Sequence, residues 1–241
     1  MRTIKNFSIV YYAYLVDEVD VFIEQCALLR DCGIANSAQK VSVCIQTNKN
    51  GLLGGTKEKS ELAWLAFNSI PKATIAYASS ENLYEYPGLS LMQNDAKIGK
   101  NLHNISPVDF PVSEKESVTL YFHTKGIATR NAGNTHIRKV LEENLILNWK
   151  NCLNIFENDF YIKKVCLFKS KKGFAWFNFF WVKNSFLCDH TTLEKSSSRW
   201  DYEAWIQGEG SGDTVALGDP VAYDDGNEVI RSFDKHFTIK N

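Results

Sequence analysis

Short apolar runs alternate with amphipathic stretches through the first half of this chain, and that alternation limits the folds open to it. Residues 7–15 (Phe-Ser-Ile-Val-Tyr-Tyr-Ala-Tyr-Leu), 41–46, 73–78 and 118–123 each read as a buried strand. Between the first two, Val19, Phe22, Ile23, Cys26 and Leu29 recur at helical spacing. Asp17 is the N-cap candidate for that helix and Gly33 its stop. Ser60 is placed to cap a helix carrying Leu62, Leu65 and Ala66, and a further helix starts near Pro87. The order β-α-β-α-β-α-β predicts an α/β domain, its central sheet mostly parallel with helices on both faces.

The second half departs from that rhythm. One long amphipathic helix is expected over residues 135–157, carrying Ile137, Val140, Leu141, Leu145, Trp149 and Cys152. Two further strands are expected at 164–168 and 174–182, antiparallel across Ser170-Lys-Lys-Gly173. Beyond Trp205 the chain turns glycine-rich and acidic. We read residues 1–206 as one domain, and 207–241 as an extension that packs on it or stays partly mobile.

With 241 residues, 44% of them hydrophobic, the chain supports one sizeable core. A formal net charge of -1 gives no field to draw it to nucleic acid, so no nucleic-acid partner is expected. The six cysteines show neither a CxxC nor metal-ligand spacing. They read as small hydrophobes in a reducing compartment. The N-terminal residues are too polar for a signal peptide, and no apolar run approaches the ~20 residues of a membrane span. The expectation is a soluble, cytoplasmic protein with no transmembrane segment.

The fourth strand runs straight into His123, Thr124, Lys125 and Gly126. An imidazole, a hydroxyl, an ammonium and the N–H groups of a glycine turn together suit a diphosphate. Lys125 would neutralise charge on a departing nucleotide diphosphate, and Arg130 would add a second cation. The glycines and Lys-Ser/Thr ending of a Walker loop are missing. The same residues also fit a plain strand exit with a solvated lysine. Glu85, just before Pro87, either accepts from a ribose or sugar hydroxyl or favours the helix dipole. Asp201 and Glu203 are the general-base candidates, with Trp200, Tyr202 and Trp205 around them to exclude water. Residues two apart on a helix do not share a face, so one of the pair would serve.

The stretch Tyr121-Phe-His-Thr-Lys-Gly126 resembles the Tyr-x-His-Thr-Lys-Gly signature of small GT-A-like nucleotide-sugar glycosyltransferases of bacteria, phages and large viruses, such as the rhamnosyltransferase domain of chlorella viruses. Cys32-Gly-Ile34, Tyr84-Glu-Tyr-Pro-Gly-Leu89, Asn178-Phe-Phe-Trp181 and Arg199 with Glu203-Ala-Trp205 resemble that group's further motifs, in the same order. The resemblance implies a GT-A-like single domain that moves a sugar, with inversion, from a UDP- or GDP-linked donor to a carbohydrate acceptor. Surface polysaccharide or glycoprotein-glycan synthesis, in a bacterial cell or an infected host, is the implied setting. It places Tyr12, Ala13 and Tyr14 at the nucleotide, Asn178, Phe179 and Trp181 at the acceptor, and favours Glu203 over Asp201 as base.

Two departures stand out. Phe177 occupies a position where the group commonly has Gly, and no Asp-x-Asp follows the fourth strand to hold Mn²⁺ or Mg²⁺. No cofactor is therefore required on this reading, with Lys125 and Arg130 in place of the metal. A divalent cation remains compatible, and His123 is its one candidate ligand. The rival expectation is a non-catalytic carbohydrate-binding or scaffold protein with a degenerate transferase fold.

Overall fold

The apolar runs at 7–15, 41–46, 73–78 and 118–123 do form strands. The computed structural model describes residue 4 and residues 6–105, 116–124, 132–208 and 210–237. The first half contains β1 (Phe7–Tyr14), α1 (Asp20–Asp31), α2 (Ile34–Ser37), β2 (Val41–Gln46), α3 (Lys57–Asn68), β3 (Ala73–Ser79), α4 (Tyr86–Ile105) and β4 (Val118–His123). There follow α5 (Ala132–Glu142), α6 (Trp149–Asn158), β5 (Lys164–Cys166), β6 (Lys169–Ser170), β7 (Phe180–Lys183), α7 (Asn184–Asp189) and α8 (Arg199–Trp205). The chain then adds β8 (Thr214–Ala216), β9 (Ala222–Tyr223) and α9 (Gly226–His236).

Seven strands make one sheet in the order β3-β2-β1-β4-β7-β5-β8. β1 is parallel to both β2 and β4, and β2 to β3. β7 is antiparallel to its neighbours β4 and β5, and β8 is parallel to β5. The fold is thus α/β with a mostly parallel central sheet and one reversed strand. Helices cover both faces, which is why β2 and β4 are buried at every position and are mostly apolar, with Ser42 and Thr119 the interior exceptions. On one face Ile9, Tyr11, Phe122 and Trp181 pack with residues of α1, α3, α5, α6 and α9. On the other, Val10, Tyr12, Tyr121 and Phe180 pack with residues of α4, α7 and α8.

Strand order sets the site. From β1 the chain steps to β2 and β3 on one side and to β4 on the other. In an open α/β sheet, such a reversal leaves a crevice outside the carboxyl ends of the two strands. Here those ends carry Tyr12 opposite His123.

Local readings differ from the structure in four places. Asp17 does not cap α1. The helix begins at Asp20 after Val19, which is buried and held by packing, not by a side-chain cap. Thr56, not Ser60, caps α3, its hydroxyl accepting from the Lys59 N–H at 3.2 Å. Ser60 lies inside the helix, where its hydroxyl accepts from the Leu53 N–H. The long helix is interrupted by a π-helical turn, Glu143–Leu147, which keeps Leu145 and Ile146 buried before α6 resumes. The aromatic strand expected over 174–182 is also cut short. Phe177 and Asn178 take left-handed backbone, φ 72° and 51°, in a one-turn helix, Trp176–Asn178, and β7 starts only at Phe180.

Residues after 206 return to the domain. β8 extends the main sheet, β9 pairs with β6, and α9 buries Val229 and Phe233 in the larger core cluster. None of the six cysteines is bonded to another. Burial pushes the Cys44 and Cys166 thiols up to about 12, which removes them as nucleophiles near neutral pH. No helix among the described residues is long and apolar enough to cross a membrane.

Candidate active site

The floor of the crevice is the joint between β1 and β4. The Thr124 N–H donates to the Tyr12 carbonyl at 3.1 Å, and the Tyr14 N–H donates to the Thr124 hydroxyl at 2.9 Å. Thr124 therefore fastens the strand ends together. His123 is 8% exposed, and its Nε2 donates to the Phe177 carbonyl at 3.1 Å. A protonated Nε2 has no lone pair for a metal, so in this arrangement that nitrogen is not a ligand.

Alternation sorts the tyrosines of β1. Tyr11 stacks on Phe122, ring centroids 4.3 Å apart, on the larger core face. Ala13 is fully buried on the same face. Tyr12 and Tyr14 point the other way, towards the crevice side. The Tyr12 hydroxyl donates to Gln46 Oε1 at 2.7 Å and the ring is nearly enclosed, whereas Tyr14 is half-buried. Tyr14 is thus the member of this group with ring surface to offer a base.

The start of α4 forms one wall. Gly88 lies so close to the sheet that a Cβ there would sit 2.9 Å from Tyr121 Cε2 and 3.3 Å from Tyr12 Cβ. Gly88→Ala should cost about 1–3 kcal/mol through this overlap, measured as a lowered urea midpoint. An unchanged midpoint would show that the helix rides further from the strands. Glu85 is buried beside the same tyrosines. Burial first, and then the Glu85 carboxylate, push the Tyr12 and Tyr121 hydroxyls well above the usual phenol range. Tyr84 and Tyr86 close the wall against Tyr202 of α8, with ring centroids 6.4 and 6.1 Å away.

The opposite side is built by the turn Trp176–Asn178, which packs against both the end of β4 and α8. Asn178 is 1% exposed, and neither its amide nitrogen nor its amide oxygen has a hydrogen-bond partner. Such a group costs about 1–3 kcal/mol while it stays unpaired. The left-handed conformation explains why Gly is the easier residue at 177: a side chain there costs roughly 1–2 kcal/mol. Phe177 offsets this by burying its ring edge-on against Phe168, and its carbonyl holds His123.

The carboxylates of α8 diverge. Glu203 is buried and accepts from Arg199 Nη2 at 3.1 Å. Asp201 is exposed and tied to the Ser196 hydroxyl. The structure thus gathers Tyr12, Tyr14, Glu85, His123 and Thr124 around the strand ends, with Asn178 and Glu203 on the elements packed beside them. It keeps Phe179 and Trp181 in the core: both are fully enclosed, and the Trp181 indole donates to the Leu145 carbonyl at 2.9 Å. Lys125, Gly126 and Arg130 lie outside the described residues. Gln46, Gly88, Tyr121 and Tyr202 join the surroundings without having been singled out as site residues. Gly88 and Tyr121 lie inside quoted motifs and Tyr202 flanks the base candidates, whereas Gln46 had no signal in the sequence.

No group of three or more His, Cys, Asp or Glu side chains gathers to hold a metal among the described residues. A hollow of about 410 Å³, lined by Glu24, Leu28, Lys139 and Leu147 among others, opens between α1 and the α5–π turn. It contains none of the candidate catalytic or binding residues, although Cys32 of a quoted motif lines it. Compared with known proteins, the chain matches no family model, no curated protein and no solved structure.

Proposed function

We propose that this protein is a GT-A-like glycosyltransferase that moves a sugar from a UDP- or GDP-linked donor to a carbohydrate acceptor. The observation that carries the reading is the meeting of separate sequence motifs at one switch point. β4, which ends at His123, adjoins both the start of α4 with Glu85 and the turn with Asn178, and α8 with Glu203 packs against that turn. An enclosed, unpartnered amide in such a place supports a polar ligand.

In this reading Glu203 accepts the proton of an acceptor hydroxyl while that oxygen attacks the anomeric carbon. The bond from that carbon to the diphosphate breaks, and its electron pair leaves with the nucleotide diphosphate. Arg199 orients Glu203. Lys125, on sequence grounds, neutralises the leaving diphosphate, and Tyr14 offers its ring to the base.

A thermal-shift screen of UDP, GDP and their sugar conjugates, with and without Mn²⁺, tests this, because a bound ligand raises apparent stability by mass action. Stabilisation by a nucleotide sugar together with release of UDP or GDP is expected. No shift and no release with any of them would overturn the transferase reading. Lys125→Ala should weaken the donor-induced shift and turnover by about tenfold or more, with the ligand-free melting temperature unchanged. Full donor affinity in that variant would end the diphosphate role.

A further inference from the structure

We propose that Trp200 is the platform on which the acceptor sugar lies beside Glu203, an assignment that rests on the transferase reading. α8 turns Tyr202 and Glu203 inward, yet leaves Trp200 64% exposed. An isolated surface aromatic needs no explanation. This one is joined to the candidate base. The Arg199 guanidinium lies 5.2 Å from the Trp200 ring centroid, and the same guanidinium bonds Glu203 at 3.1 Å. Trp200 and Glu203 are three residues apart, so they share a flank of the helix, while Asp201 is turned away and held by Ser196.

Indole, guanidinium and carboxylate therefore form one strip from solvent to the buried acid. That sequence of groups suits a pyranose. The flat C–H face of a sugar ring lies on an aromatic surface. Its hydroxyl edge needs donors and acceptors, and charged ones bind it best. Trp200 supplies the face, and Arg199 and Glu203 supply the edge. A nucleotide would also stack on an exposed indole, but the strip ends at a carboxylate, which repels a diphosphate and accepts from a hydroxyl.

The test is a printed array of defined neutral and acidic oligosaccharides, probed with the labelled full-length chain as wild type, Trp200→Phe and Trp200→Ala. Wild type should bind a subset. Trp200→Ala should weaken that subset by about tenfold, and Trp200→Phe should retain most of it because a ring remains. The melting temperatures should agree closely, since the residue is exposed. Equal binding by Trp200→Ala, or no binding by wild type, would overturn the platform. Wild-type release of UDP or GDP from nucleotide sugars is measured alongside. Release without Trp200-dependent binding sinks the platform alone. Trp200-dependent binding without release sinks the transferase reading and leaves a carbohydrate-binding surface.

Discussion

Glu203→Gln is expected to lower turnover by about 10²-fold or more, with nucleotide binding little changed. The amide keeps the size of the side chain and can still accept from Arg199, so the buried end of α8 stays packed. What it loses is the capacity to take a proton. Asp201→Asn should do far less, because Asp201 is exposed and its contact is to Ser196. Steady-state rates with matched donor concentrations separate the outcomes. The reverse ranking would hand the base role to Asp201, and two nearly active variants would leave α8 a structural element.

The second large effect concerns stability and lies on the other face of the sheet. Arg138 and Glu142, 4% and 5% exposed, pair at 2.9 Å on α5. Gln25 of α1 donates to the same Glu142 oxygen and accepts from the Tyr11 hydroxyl, so the network reaches strand β1. Removing one member of a buried pair leaves a charge without compensation. Arg138→Met should therefore cost about 3 kcal/mol, which in a chain of this size lowers the melting temperature by roughly 10 °C. The double replacement Arg138→Met with Glu142→Leu should recover only part of that loss, because it removes the uncompensated charge but leaves the buried Gln25 amide without its acceptor. A single variant as stable as wild type would show that Lys139, 3.5 Å from Glu142, suffices to hold it.

The strands of the parallel half were legible because burial on both faces demands continuous apolar runs. β2 and β4 each begin on a valine and end one residue past the last apolar one, at Gln46 and His123. The aromatic segment misled for a related reason. Phe174, Trp176, Phe177 and Phe179 look like a buried strand by composition, but composition is blind to φ. The left-handed pair at Phe177 and Asn178 turns that segment out of the sheet. Helix starts were misread where packing outweighed capping, as at Val19. In the site, His123, Glu85 and Glu203 could be named from residue type and motif. Whether a polar group is already committed could not. Thr124 was named as a phosphate donor, and only the fold shows that its hydroxyl oxygen also accepts from Tyr14, a bond that leaves the O–H proton to donate. Trp200 and Trp181 are the same residue type, and only the fold separates an open ring from an enclosed one.

The return of the last segment to the main sheet bears on how the protein is to be handled. β8 covers the edge of β5, and Phe233 of α9 lies against Phe168, ring centroids 6.1 Å apart. An expression boundary placed at residue 206, where glycine and acidic residues invite one, would strip an edge strand and uncover that phenylalanine. The shortest fragment worth purifying for crystallisation therefore runs through α9, and an affinity tag belongs beyond Phe237.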